Sequence, residues 1–262
     1  MDKKEIKLKK WQRTFVNRSL NMGKIKAIGF DMDHTLVTYN RENFEALTYA
    51  ESVKKLVDAG YPSEILQLKF QPKFAIRGLL LDVERGNLLK VDGHKYVKSA
   101  LHGHRKLTKE DRHSTYNTVS FRASDLVSLD TFFALSEFQL FIDLVEYKDH
   151  NPGRLERSYR QIYSDVKRCI DASHADGSIK KHVIAEPEKY INIDPQLAAT
   201  LHHLLEGGKT LFLLTNSLWD YTSKVMEYLF RNYLEEGQIE TLYGRIQVFR
   251  KRRGSANPLI FF

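Results

Sequence analysis

Two carboxylates two residues apart are the clearest candidates for chemistry in this sequence. Asp31 and Asp33 directly follow the apolar run 25–30, whose length is typical of a buried strand. A carboxylate at a strand end can attack phosphorus and form an acyl phosphate. A second one can protonate the leaving alkoxide and then deprotonate the incoming water. Because two acids repel a phosphate dianion, this chemistry requires a hard cation with oxygen ligands, such as Mg²⁺.

Another run of polar residues follows a second predicted strand. A helix predicted over 195–206 precedes the apolar run 210–214, which leads into Thr215-Asn216-Ser217. Ligands of open α/β sheets bind beyond the carboxyl ends of the strands, so we expect Asp31 and Thr215 to touch the same phosphoryl group. Thr215 and Asn216 would supply uncharged donors to its oxygens. The alternative is that the two acids cap a helix start and that 215–217 is only a turn.

The rest of the chain indicates an α/β fold with an insertion. About 160 residues separate the two strand-and-loop units, far more than a βα loop needs. They are predicted to contain a helix from Leu47 to Ala59 and a hairpin around 85–87. Residues 111–187 are rich in aromatic side chains and read as helical. We therefore expect 1–110 and 188–262 to form the sheet-containing core, and 111–187 to form an inserted, mainly helical cap over the site.

Composition places the chain among globular proteins. Apolar residues make up 42% and charged residues 28% of the sequence, which excludes a disordered tail, a collagen-like chain and a coiled coil. No apolar run approaches the ~20 residues of a membrane span, and the first residues show no signal-peptide pattern. The single cysteine, Cys169, cannot form an internal disulfide. We therefore expect a reducing, cytoplasmic location.

The net charge of +8 is concentrated at the two ends. Residues 1–26 carry +7 and residues 244–262 carry +5, which leaves −4 for the segment between them. A nucleic-acid-binding fold is expected to carry a basic face within its body. The ends are therefore interpreted as solvated termini, with a tether to RNA or to a membrane surface as the alternative.

Several dispersed motifs carry a family resemblance. The sequence resembles the haloacid dehalogenase superfamily and, more closely, the cytosolic purine 5'-nucleotidases, which prefer IMP and GMP. The matching segments are IGFDMDHTL at 28–36, GYP at 60–62, RGL at 77–79, GNLLKVD at 86–92, LLTNS at 213–217 and YTSKVMEYLF at 221–230.

The resemblance implies a fold and a set of catalytic roles. The fold would be a Rossmann-like parallel sheet with a cap. Asp31 would be the nucleophile and a metal ligand. Asp33 would be the general acid/base, with its main-chain carbonyl on Mg²⁺. Thr215 and Asn216 would hold the phosphate, and Lys251 matches the position of a catalytic lysine.

The resemblance also implies a purine nucleoside 5'-monophosphate as substrate, with its base under the cap. Phe133 would stack on the purine, with Asp130 nearby, and Lys167 and Asp171 would reach the base or ribose. For Phe133 the residue pattern alone favours core packing. No membrane or nucleic-acid partner is expected, and a homo-oligomer is possible.

The final part of the family pattern differs in this sequence. The family continues past the catalytic lysine to a Gly-Asp-His element whose acids complete the Mg²⁺ site, whereas Lys251 is followed here by Arg252-Arg253. Three interpretations remain open: a truncated or frame-disrupted product, a short form that binds nucleotide without turnover, and a site completed by a partner chain. We expect impaired activity of this polypeptide alone. An RNA-binding role of the basic ends is a further hypothesis.

Overall fold

The computed structural model describes residues 20–94, 96–116, 126–131, 134–231, 246–251 and 259–261. The chain divides into two compact units. Unit 1 comprises 1–36, 195–218 and 230–262, and unit 2 comprises 37–194 and 219–229.

Helices and strands of both units are numbered in chain order. The strands are β1 (Ala27–Phe30), β2 (Thr38–Tyr39), β3 (Leu79–Asp82), β4 (Asn87–Val91), β5 (Val97–His102), β6 (Arg105–Lys106), β7 (Leu126–Ser128), β8 (Ile191–Asn192), β9 (Thr210–Thr215), β10 (Ile246–Lys251) and β11 (Leu259–Phe261). The α-helices are α1 (Arg41–Asp58), α2 (Lys109–Tyr116), α3 (Leu135–His150), α4 (Tyr159–Ala175), α5 (Ser178–Ala185), α6 (Pro187–Tyr190), α7 (Leu197–Glu206) and α8 (Trp219–Phe230).

The described strands of unit 1 form one sheet in the order β1-β9-β10-β11. β1 and β10 both run parallel to β9, and β11 is antiparallel to β10. The two strands expected at 25–30 and 210–214 are therefore confirmed as parallel neighbours. The helix expected before the second strand is also present, although α7 begins two residues later than predicted; it ends at Glu206, with Gly207 as its C-cap.

β1 is less buried than the sequence predicts. Ala27 and Gly29 are exposed, and Ile28 and Phe30 are half-buried. In β9, by contrast, Leu211, Leu213 and Thr215 are buried. The prediction of a fully buried β1 is wrong because β1 lies at an edge of the described sheet, whereas β9 is flanked on both sides.

Two strands near the C-terminus were not predicted. β10 and β11 lie in a segment where no strand pattern is evident in the sequence. The apolar residues Ile246, Val248 and Phe249 do not alternate strictly, and the basic run 250–253 follows them directly. A strand that is paired by its neighbours does not need the period-two alternation on which sequence-based prediction relies.

Unit 2 contains a five-stranded antiparallel sheet in the order β6-β5-β4-β3-β7. The expected hairpin is confirmed, because β3 pairs with β4 and Asp82 lies opposite Asn87. Gly86 in the turn has φ +67°, a left-handed conformation that glycine adopts without strain. β7 pairs with β3, so this sheet includes residues from both sides of position 110. The predicted boundaries of the cap remain a prediction.

The helices of unit 2 supply most of its core. α1 begins six residues earlier than predicted because the Asn40 side chain caps it, accepting the main-chain N–H of Asn43 at 3.2 Å. α4 begins with a capping box in which Ser158 and Gln161 bond each other's main-chain N–H groups. Many of the fully buried side chains come from α1, α3, α4 and the sheet; the largest of these include Tyr49, Leu56, Leu81, Phe138 and Phe141.

A short antiparallel ladder joins β2 to β8, with Thr38 opposite Asn192 and Tyr39 opposite Ile191. Both strands belong to unit 2 and lie close to the two ends of its segment 37–194. With parallel and antiparallel sheets among helices, the described structure is of the mixed α/β class. Within the described residues, none of the helices combines the length and the apolarity needed to cross a bilayer.

Candidate active site

The carboxyl ends of β1 and β9 meet at one edge of the unit 1 sheet. Phe30 lies opposite Leu213, so Asp31 follows the end of β1 where Thr215 closes β9. Asp31 is exposed, and its Oδ1 accepts the main-chain N–H of Met32 at 2.9 Å. Met32 itself is fully buried. The buried Met32 therefore anchors the chain beside an exposed carboxylate whose orientation is held by one hydrogen bond.

A tight turn follows Asp31 and carries Asp33. The main-chain N–H groups of Thr35 and Leu36 both donate to the carbonyl of Met32, at 3.3 and 3.1 Å. His34 has φ +58°, a conformation that non-glycine residues seldom adopt. Desolvation lowers the pKa of His34 below its usual value, and the negative charge of Asp33 opposes that shift. The turn therefore places Asp33 beside a histidine that favours the neutral state.

Ser217 connects the two strand ends. Its Oγ donates to Asp33 Oδ2 at 3.2 Å, and its main-chain N–H donates to Thr215 Oγ1 at 3.0 Å. Thr215 and Ser217 are buried, and Asn216 between them is exposed. Residues 215–217 do form a turn, which was the alternative interpretation of this segment. That turn nevertheless brings the second polar segment into direct contact with the first.

The Phe212 side chain of β9 packs closely against the backbone of β1 at Gly29. Gly29 lies opposite Phe212, and a Cβ atom at Gly29 would overlap the Phe212 ring. The absence of a side chain at Gly29 therefore lets the ring lie over β1. This contact lies two residues before Asp31 and three before Thr215.

The donor chemistry of this edge is suited to a hard cation. Asp31 and Asp33 offer carboxylate oxygens, and Mg²⁺ is commonly held by one or two protein carboxylates together with waters and substrate phosphate oxygens. Among the described side chains, no group of three or more His, Cys, Asp or Glu is arranged to hold a metal ion. A cation here would therefore depend on ligands beyond these two side chains.

Comparison with known proteins identifies the family. The model of the 5' nucleotidase family matches residues 14–247. The chain belongs to the 5' nucleotidase family. A 5'-nucleotidase domain-containing protein of Dictyostelium discoideum is 34% identical over 231 residues, covering 85% of this chain. The chain spans 38% of the length of that curated relative.

The resemblance to the 5'-nucleotidases is thus confirmed at the level of the family, and the purine-specific subtype stays a prediction. Four of the predicted catalytic residues lie together in unit 1: Asp31, Asp33, Thr215 and Asn216. Lys251 ends β10, one residue past Arg250, which lies opposite Thr215. The Lys251 backbone is therefore at the same edge of the sheet, and its catalytic role stays a prediction.

The predicted nucleoside-binding residues lie in unit 2. Lys167 and Asp171 are one turn apart on α4, and the charges of both act on the half-buried Glu137. Desolvation raises the pKa of Glu137, whereas a 2.6 Å hydrogen bond from the Tyr163 hydroxyl lowers it. Asp130 is exposed and accepts a hydrogen bond from Ser128 Oγ at 2.6 Å. Phe133 lies outside the described residues.

Sequence reasoning did not single out two residues that make these contacts, Ser217 and Glu137. Ser217 was recognised only as part of a polar turn, and its contact with Asp33 spans 184 positions. Glu137 lies within the segment DTFFALSE at 130–137, but nothing in that pattern singles it out. The position of Ser217, two residues after the threonine predicted to hold phosphate, is the only sequence signal that points to either residue.

Proposed function

We propose that this chain hydrolyses purine nucleoside 5'-monophosphates of the IMP or GMP type through an aspartyl-phosphate intermediate, with Mg²⁺ as cofactor. The observation that carries the proposal is the contact between Ser217 and Asp33 across parallel strands, which joins the acidic motif to the Thr215 turn. Membership of the 5' nucleotidase family supports phosphomonoester hydrolysis.

The first step transfers the phosphoryl group to the protein. A carboxylate oxygen of Asp31 attacks phosphorus, and the bond from phosphorus to the 5'-oxygen breaks. The Asp33 carboxyl group gives its proton to that leaving oxygen, so the nucleoside departs as a neutral alcohol. The exposure of Asp31 and the hydrogen bond from Met32, which orients its carboxylate, support this assignment.

The second step releases phosphate. Asp33, now a carboxylate, removes a proton from water as the water oxygen attacks phosphorus. The bond between phosphorus and the Asp31 oxygen breaks, which restores the Asp31 carboxylate and leaves inorganic phosphate. Hydrogen bonds from Thr215 and Asn216 to the equatorial phosphoryl oxygens would stabilise the charge that develops there.

The proposal assigns the cation to the same edge of the sheet. Asp31, through its carboxylate, and Asp33, through its main-chain carbonyl, would hold Mg²⁺. When bound, this ion offsets the repulsion between the two acids and the phosphate dianion. Lys251 would add a positive charge from β10.

The nucleoside would be recognised by residues of the cap. Lys167 lines a cavity of about 500 Å³ in unit 2, together with Tyr163 and Ser164; its other walls are Val83, Leu126, Val127 and Arg160. Three apolar side chains could contact the face of a heterocycle, and the polar groups of Arg160, Tyr163, Ser164 and Lys167 could bond its edge. Asp130, Phe133 and Asp171 complete the proposed nucleoside-binding set.

The proposal also includes the architecture expected for this chemistry. Three adjacent strands with parallel pairing, β1, β9 and β10, support a Rossmann-like core of the haloacid dehalogenase type. The core would comprise 1–110 and 188–262, with 111–187 as the cap. A cytoplasmic location is part of the same proposal.

Phosphate release from IMP in the presence of Mg²⁺ tests the proposed function. Asp31→Asn should lower the rate by on the order of a thousandfold, because the amide is no nucleophile. Asp58→Asn makes the same chemical change at an exposed position at the end of α1 and should leave the rate unchanged. Equal activity of wild type and Asp31→Asn would show that the assigned nucleophile is wrong. Calorimetric binding of IMP without phosphate release would instead support a non-catalytic nucleotide-binding protein.

A further inference from the structure

Ser217 makes two hydrogen bonds that face in different directions. Its hydroxyl donates to Asp33 Oδ2, and its main-chain N–H donates to Thr215 Oγ1. We propose that Ser217 is a positioning residue for the proposed reaction: it fixes the carboxylate of Asp33 and the hydroxyl of Thr215 relative to each other. This inference rests on the proposed function, since the two groups that it orients are the proposed acid/base and a proposed phosphate ligand.

Burial makes the contact with Asp33 specific. Ser217 is 4% exposed, so its hydroxyl has little water to bond and its geometry is set by the protein. A hydroxyl that donates to a carboxylate makes a charge-assisted hydrogen bond, which is stronger than a neutral one. The 3.2 Å separation is long for an O–H···O bond, and hydrogen bonds at catalytic sites are often long before substrate binds.

The contact with Thr215 sets the direction of its proton. A threonine hydroxyl has one proton to donate and two lone pairs that accept. Since Thr215 Oγ1 accepts the Ser217 N–H, one lone pair is occupied by the turn itself. The hydroxyl proton then points away from that N–H, where it can be donated to a phosphoryl oxygen. Ser217 thus orients a proton donor and a proton acceptor with two separate atoms.

The two contacts can be separated by mutation. Ser217→Ala removes the hydroxyl and keeps the main-chain N–H, so Thr215 stays oriented while Asp33 loses its hydrogen-bond partner at Ser217. Phosphate binding should therefore be retained, and proton transfer should be impaired. Loss of a hydrogen bond to a charged group predicts a fall in kcat on the order of tenfold, with KM changing less than about twofold.

A matched control is available in unit 2. Ser173 is buried like Ser217, and its hydroxyl donates to the main-chain carbonyl of Cys169 at 2.9 Å. Ser173→Ala makes the same change at a buried serine of α4 and should leave kcat and KM unchanged. Ser217→Thr retains a hydroxyl and should restore kcat in part, which loss of packing alone would not explain.

The experiment uses the full chain, with circular dichroism to verify folding. The Asp carboxyl carbons are labelled with ¹³C, and the Asp33 resonance is assigned with Asp33→Asn. Ser217→Ala should move the Asp33 resonance by more than its line width, and Ser173→Ala should not. Phosphate release from IMP with Mg²⁺ is measured on the same samples for kcat and KM.

The two readouts distinguish failure of this inference from failure of the proposed function. An Asp33 resonance that is the same in Ser217→Ala and wild type overturns the positioning role, whether or not the chain turns over. A wild-type chain that releases no phosphate refutes the proposed function, and the resonance then still decides whether Ser217 orients Asp33. A Ser217→Ala variant with raised KM and unchanged kcat also overturns the inference, because it assigns Ser217 to substrate binding.

Discussion

Glu45 is a carboxyl group buried where ionisation is unfavourable. It lies on α1 and is 3% exposed, and its Oε2 accepts the main-chain N–H of Ser136 at 3.3 Å. Ser136 is the second residue of α3, whose N-cap residue Ala134 provides no side-chain hydrogen bond. Desolvation raises the pKa of Glu45 to about 7, although the hydrogen bonds with Ser136 and the charge of Arg41 lower it. Glu45→Gln retains the shape and the acceptor oxygen and removes the charge.

The size of the effect follows from linkage between protonation and folding. The pKa of Glu45 rises from 4.5 to about 7 on folding, and each pKa unit corresponds to about 1.4 kcal/mol. Because the folded state binds the proton more tightly, the wild type loses stability relative to Glu45→Gln as the pH rises from about 4.5 through 7. We expect Glu45→Gln to be more stable by about 3 kcal/mol at pH 8.5 and by about 1 kcal/mol at pH 5.

Urea denaturation of the full chain, followed by circular dichroism at both pH values, measures this difference. Glu42→Gln is the matched control, since Glu42 is exposed in the first turn of the same helix. Its carboxylate favours the helix N-terminus, so the control should lose up to about 1 kcal/mol at either pH. If Glu45→Gln is less stable than wild type at pH 8.5, the Glu45 carboxylate is worth more as a cap of α3 than its burial costs, and the reasoning is refuted.

Two glycines allow further tests of close packing. Gly29→Ala should destabilise unit 1 by about 1–3 kcal/mol in urea denaturation through overlap with the Phe212 ring. The same change should cost less in a Phe212→Ala background, and additive effects of the two changes would contradict the contact. Gly103 has φ +54°, and a Cβ there would overlap the Glu146 carboxylate. Gly153 also has a positive φ, +80°, but a Cβ atom there would meet no other atom. Gly103→Ala should therefore lower the midpoint of urea unfolding more than Gly153→Ala does. Equal midpoints for the two variants would show that only backbone strain matters.

The sequence predicts the candidate site better than it predicts the strands around that site. Asp31, Asp33 and Thr215 could be found because each lies where an apolar run gives way abruptly to polar residues. That pattern also locates β1 and β9, whose parallel pairing the structure confirms. Local sequence therefore suffices where polarity changes sharply at a strand end.

Features that depend on distant neighbours were not predictable. The partial exposure of β1 depends on its position at an edge of the described sheet, and the contact between Ser217 and Asp33 depends on the register of β1 against β9. β10 was missed because its pairing comes from β9 and not from an alternating pattern of its own. The burial of Glu45 follows from the packing of α3, which no local pattern reveals.

The β2–β8 ladder has a consequence for the order of folding. Pairing β1 with β9 in an open chain closes a loop of about 180 residues, whereas the ladder already places Thr38 beside Asn192. Once the β2–β8 ladder has formed, about 30 residues remain in the loop that the pairing of β1 with β9 must close. This shorter loop lowers the entropic cost of closure by about 1.5 kcal/mol. The ribosome also completes residues 37–194 before β9 is made. Formation of the β2–β8 ladder is therefore expected to lower the entropic cost of the later pairing of β1 with β9, which brings Asp31 and Thr215 to the same end of the sheet.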